Sequence, residues 1–153
     1  MRLLVVVVIL FLAASTNNSL AVGDVPLARK FDEYGAIRWE DEKARLDNFA
    51  FQLQNMDTSI GYILVVDTVG GCQGEAQARA NRAKRYVVKH RRIPWNRVIW
   101  KVEGYQSEIS TSLVIAPREA ILSWPFQAVM PGTDGPMTKK CRTRLKQIAT
   151  SRW

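Results

Sequence analysis

The chain is poor in the residues from which disulfide miniproteins and metalloproteins are built: it has 2 Cys and 1 His in 153 residues. A zinc site of four ligands and a disulfide-dense scaffold are thereby excluded. Acidic side chains are also few, 14 against 22 Lys and Arg, so the formal charge is +8. With 6 Pro and 9 Gly there is no collagen, and 47% hydrophobic with 24% charged residues excludes a disordered polymer and describes a globular domain. The apolar run at residues 3–14 counts twelve positions. A helix crossing a bilayer needs roughly 20.

That run follows Arg2 and precedes the small-residue site Ser19-Leu20-Ala21, the pattern of a secretory signal peptide over residues 1–21. No Cys stands near the processing site, which disfavours an acylated lipoprotein. Removal leaves 132 residues with a net charge of +7, enough for one domain with a modest core. Export implies an oxidising compartment, where Cys72 and Cys141 are expected to pair; the loop of about 70 residues makes the bridge worth roughly 4 kcal/mol in the chain-entropy account. The alternative is two unpaired thiols, because pairing requires Cα atoms within about 7 Å.

Over residues 41–55 the apolar Leu46, Phe49, Ala50 and Leu53 recur at helical spacing among charged neighbours, which predicts an amphipathic helix. Residues 60–66 form a continuous β-branched and apolar run, the pattern of a central strand covered on both faces. A glycine-containing loop leads into a second helix over residues 74–91, where Ala76, Ala80, Ala83 and Val87 make a narrow stripe that Ile93-Pro94 ends. Residues 97–103 and 110–116 read as strands whose short connection suggests an antiparallel hairpin, and a weaker strand is expected at residues 34–39. The expected order is β-α-β-α-β-β, an α+β domain with two helices on one face of a four-stranded mixed sheet. Residues 118–153 form a Pro/Gly-rich and basic tail, in which Leu145, Ile148 and Ala149 allow a short final helix held by Cys141.

Residues 31–117 resemble the OmpA-like periplasmic domain, the peptidoglycan-associated module of Gram-negative envelopes. The likeness rests on the strand ending in Asp67, the loop after it, and the helix bearing Arg82-Ala83, with Asp67 and Arg82 15 positions apart as in that family. The stretch Val102-Glu103-Gly104-Tyr105 is similar to the family's Gly-Tyr-Gly turn. The chain departs from the pattern at Val65-Val66, Glu75, Ala78-Arg79 and Ser110-Thr111-Ser112, where the family has His-Thr, Asn, Leu-Ser and Asn-Arg-Arg. The resemblance implies a non-catalytic protein of the periplasm or cell envelope that grips the diaminopimelate of peptidoglycan through Asp67 and Arg82. Diaminopimelate presents an ammonium and a carboxylate on one carbon, which an acceptor anion and a guanidinium fork would match. The alternative is an Asp capping a loop and an Arg on a solvated helix face.

Seven cations, Arg79, Arg82, Lys84, Arg85, Lys89, Arg91 and Arg92, crowd the second helix, with Glu75 at its start. They complement the helix dipole, or form a field for an anionic envelope polymer, with Arg79, Arg85 and Lys89 as its candidate surface. The second functional reading is therefore a structural or interaction protein that keeps the fold without the ligand site and binds an acidic partner through this helix. Nucleic acid is not an expected partner of an exported chain, and membrane association is expected only through an uncleaved signal segment. Catalysis is not expected: His90 stands among Lys89, Arg91 and Arg92 with no carboxylate to orient it. The loop Gly70-Gly71-Cys72-Gln73-Gly74 lacks the residues that hold phosphate, and neither a metal nor a cofactor is expected. Glu40, Asp41 and Glu42 are expected to complement the first helix dipole. Cleavage after Ala21 makes Val22 the first residue of the exported protein, which N-terminal sequencing checks.

Overall fold

A computed structural model describes residues 27–120 and 137–151. The expected signal peptide and the tail segments Trp124-Pro125, Pro131-Gly132 and Gly135-Pro136 lie outside the described residues. The order is β1 (Arg29–Tyr34), α1 (Trp39–Gln54), β2 (Ser59–Thr68), α2 (Glu75–Arg85), β3 (Val98–Gln106), β4 (Ser110–Pro117) and α3 (Lys139–Thr150). A π-helical turn, Tyr86–His90, continues α2, and a 3-10 turn, Trp95–Arg97, opens β3. The protein is thus α+β, with a four-stranded mixed sheet in the order β1-β4-β2-β3.

Apolar continuity decides which strands are central. β2 and β4 carry the longest buried runs and occupy the two inner places, whereas β3, in which only Val98 is buried, takes an edge among the described strands. β3 pairs parallel to β2, and β4 pairs antiparallel to both β2 and β1. The hairpin expected between residues 97–103 and 110–116 is therefore absent, because β2 lies between them. A three-residue connection suffices for that step, since two strand spacings are about 9.6 Å and extended chain covers roughly 3.3 Å per residue. Val69 N–H donates to Gln106 O and Thr68 Oγ1 to Ser107 O, both at 2.9 Å, fastening the connection over the end of β2.

The first strand also lies earlier than residues 34–39. Tyr34 is its last member, and Trp39 instead begins α1, with Arg38 in extended conformation before it. The stripe Leu46, Phe49, Ala50 and Leu53 is buried as its spacing requires, and Ala76, Ala80, Ala83 and Val87 bury the facing side of α2 and its π-helical extension. Both helices share one core with Ile63, Val65, Val98, Leu113 and Ile115 of the sheet. Gly61 lets α1 come this close: a Cβ there would stand 2.5 Å from Leu53 Cδ1 and 2.7 Å from Phe49 Cζ. Arg97, expected as the first residue of the strand 97–103, is instead buried in the 3-10 turn. Its Nη2 donates to the carbonyls of Leu53 (2.7 Å) and Met56 (2.6 Å), and its Nε to that of Ser59 (3.1 Å), satisfying acceptors at the end of α1.

Cys72 and Cys141, 69 positions apart in the chain, are bonded, with Cα atoms 5.3 Å apart. The bridge joins the loop before α2 to the first turn of α3, whose start is capped by Thr138 accepting from Cys141 N–H at 3.2 Å. No helix among the described residues is long and apolar enough to cross a membrane. Replacing Cys72 and Cys141 by Ser lowers unfolding stability by about 4 kcal/mol, the worth of a loop this long. Urea titration with and without reductant measures it, and reductant should leave the Ser variant unchanged.

Candidate functional site

The helices α1 and α2 lie side by side, and the polar residues flanking their apolar stripes meet between them. Glu42 comes from the first turn of α1 and is 2% exposed. It forms an ion pair with Arg82 of α2, itself 5% exposed. Tyr34 at the end of β1 donates its hydroxyl to Glu42 Oε1 at 3.3 Å, and the Arg82 guanidinium stacks on the Trp39 ring with its carbon 4.2 Å from the centroid. Arg82 Nε and Trp39 Nε1 are buried without a hydrogen-bond partner among the described residues.

This pair is dominated by what it costs to take the ions out of water. Burial pushes the Glu42 carboxyl above its ordinary value, although the charges of Arg82 and Arg79 and hydrogen bonds from Arg82 and Tyr34 pull it down. Burial likewise lowers the Arg82 guanidinium, against the attraction of Glu42. Tyr34 is raised well above the ordinary phenol value, by burial first and by the neighbouring Glu42 carboxylate second.

The remaining cations of the helix divide by depth. Arg79 is 9% exposed, and its Nε donates to Glu75 Oε1 at 3.0 Å; the same oxygen meets Arg144 Nε of α3 at 2.9 Å. Arg91 pairs with Asp47 of α1, to which Tyr86 also donates at 2.6 Å. Burial raises the Asp47 carboxyl, but the hydrogen bonds from Arg91 and Tyr86 and the charges of Arg91 and His90 bring it below its ordinary value. Lys84 is half-buried, Arg85 and Lys89 are exposed, and with Asn81, Val88 and Trp100 these three line an open groove of about 270 Å³ between α2 and β3. Lys84 also stands 5.6 Å from the centroid of Trp95, a ring that is 72% exposed.

Asp67 sits near the end of β2, 3% exposed, with Oδ1 accepting from Thr68 N–H at 2.9 Å. The two residues assigned to diaminopimelate, Asp67 and Arg82, are therefore both buried, and the Arg is engaged by Glu42. Of the candidate anionic surface, Arg85 and Lys89 face the groove, whereas Arg79 is turned onto Glu75. Glu42 was not separable from Glu40 and Asp41 by residue type. Its position four residues before Leu46, on the same helix face, is the signal that it points inward, while Glu40 and Asp41 make exposed pairs with Lys43 and Arg38. Compared with known protein families the chain matches none, and it matches no curated protein.

Removing Arg82 alone strands a buried carboxylate. Arg82→Met is expected to lose about 3–5 kcal/mol of stability at neutral pH, and the double variant Glu42→Leu/Arg82→Met to recover most of it. The sign with pH follows from the raised carboxyl: as pH falls through the folded-state value, Glu42 takes up a proton and the stranded charge disappears, so the deficit of Arg82→Met shrinks. Urea unfolding of both variants across acidic and neutral pH measures this.

Proposed function

We propose that this is an exported, non-catalytic envelope domain of OmpA-like organisation that holds an acidic partner through the cationic groove between α2 and β3. One observation carries the reading: among the lining residues of that groove, Lys84, Arg85 and Lys89 are cations and none is acidic. Arg79, Arg82 and Arg91 pair with Glu75, Glu42 and Asp47 within the protein. Lys84, Arg85 and Lys89 stand together around the groove, and clustered like charges give a local positive potential that concentrates anions. The order β-α-β-α-β-β supports the OmpA-like organisation. The burial of Asp67 and Arg82 favours the groove over a diaminopimelate clamp as the contact surface.

Titration of the exported protein with polyglutamate and with polygalacturonate, at low and raised salt, tests this reading. Binding should weaken with salt, and Arg85→Glu/Lys89→Glu should reduce affinity by roughly tenfold or more, with a shallower salt dependence. Asp67→Asn, which leaves the groove charges in place, should bind as the unaltered protein does. Unchanged binding by the double charge reversal would reject the assignment.

A further inference from the structure

We propose that the acidic partner of this groove is a glycan built of uronic-acid rings, one of which stacks on the indole of Trp95 while its carboxylate takes the ammonium of Lys84. The inference rests on the reading above and deepens it by naming the chemistry of the partner. It begins from Trp95, which is 72% exposed, the most exposed Phe, Tyr or Trp among the described residues. An indole held in water beside a cationic groove is the kind of group that a binding partner covers.

The backbone that carries this ring is held firmly. Trp95 opens the 3-10 turn Trp95–Arg97, which follows Pro94 and is closed by Arg97 N–H donating to Pro94 O at 2.9 Å. The Arg97 side chain is then tied to the carbonyls of Leu53, Met56 and Ser59. The turn is therefore preorganised, and its backbone has little freedom left to lose when a ligand covers the indole. Lys84 of α2 stands 5.6 Å from the ring centroid and also lines the groove, so ring and groove share one cation. A cation–π contact at an exposed ring is weak, and the lysine stem is flexible. A carboxylate entering the groove can draw the ammonium across to itself and uncover the indole face beside it.

Which acidic polymer fits is decided by how charge and apolar surface are distributed along it. A uronic-acid ring carries both at once, a rigid face of C–H groups and a carboxylate fixed at its rim, so one ring meets indole and ammonium together. An acidic polypeptide supplies its carboxylate and its apolar face from different side chains, and ordering each of them costs conformational entropy. Asn81 lines the same groove, and its amide can both donate to and accept from sugar hydroxyls. Lys89 lies further along the helix in the same lining, where the carboxylate of a neighbouring ring would meet it. The groove, about 270 Å³ in volume, is smaller than the roughly 300–1,000 Å³ of pockets that enclose drug-sized molecules, which suits one ring of a polymer that continues past it. A lipid surface is broad and cannot enter so small a concavity.

The test compares three probes on the full exported protein: an oligogalacturonate, its methyl ester, which keeps the rings and loses the charge, and an oligoglutamate of the same charge as the first. Trp95→Ala should weaken oligogalacturonate binding by roughly threefold to tenfold, the worth of one aromatic stack, and leave oligoglutamate binding unchanged. Trp95→Phe, which keeps a ring, should retain most of the affinity, and the methyl ester should bind at least about tenfold more weakly than the acid. Oligogalacturonate should also shift the tryptophan emission of the unaltered protein to shorter wavelength, and that shift should be lost in Trp95→Phe. Oligogalacturonate binding unchanged in Trp95→Ala, or an equal loss for both acids, would overturn ring stacking while leaving the cationic groove as an anion-binding surface. Tighter binding of the oligoglutamate would assign the groove to a polypeptide instead, and failure of both acids to bind would overturn the groove as well.

Discussion

The buried pair between Glu42 and Arg82 is the constraint around which the charges of this protein are arranged. Two helices covering one sheet face must bring their polar flanks together, and here that seam holds a carboxylate and a guanidinium almost sealed from water. Each ion is tolerable only because the other is present. The consequence reaches the surface. With Arg82 drawn inward, the helix turns its next cations, at positions 84, 85 and 89, toward β3 and solvent. The same interaction that joins α1 to α2 therefore selects which positive groups remain outward.

The parts of the fold that depend on local spacing were legible in the amino-acid order. Apolar residues three and four apart marked the buried sides of α1 and α2, and the unbroken run of β2 marked a central strand. Pairing was less legible, because β3 and β4 are neighbours in the chain and nothing local to them shows that β2 comes between. Burial of charge was the least legible. Glu42, Arg79, Arg82 and Arg97 belong to types that normally stay in water, and each is buried because of a partner 4 to 44 positions away that local periodicity does not reveal. Candidate ligand residues were correspondingly harder to place than core residues: the types were right for ionic contacts, but for Arg82 the contact is made by the protein itself.

Covalent and ionic links coincide at the other end of α2. The bridge from Cys72 to Cys141 brings α3 against the start of that helix, and the buried carboxylate of Glu75 there is shared by Arg79 and Arg144. One anion thus answers two guanidiniums from different helices, which orients α3 beyond what a single flexible link would. α3 also carries Lys139, Lys140, Arg142 and Lys146, all exposed, and no acidic residue. The two helices together give this side of the molecule its basic character, while the acids that accompany them lie in the seams.

The placement of β4 between β1 and β2 has a consequence for how the chain is assembled. Among the described strands β1 is made first and is bonded to β4 alone, so that ladder partner does not exist until some 80 residues later, Tyr34 lying opposite Thr111. The unit β2-α2-β3, by contrast, closes on itself through neighbouring segments. A chain made or threaded from its N-terminus must keep its opening strand unsatisfied while this middle unit forms, and the sheet is completed by insertion at its centre rather than by growth at its rim.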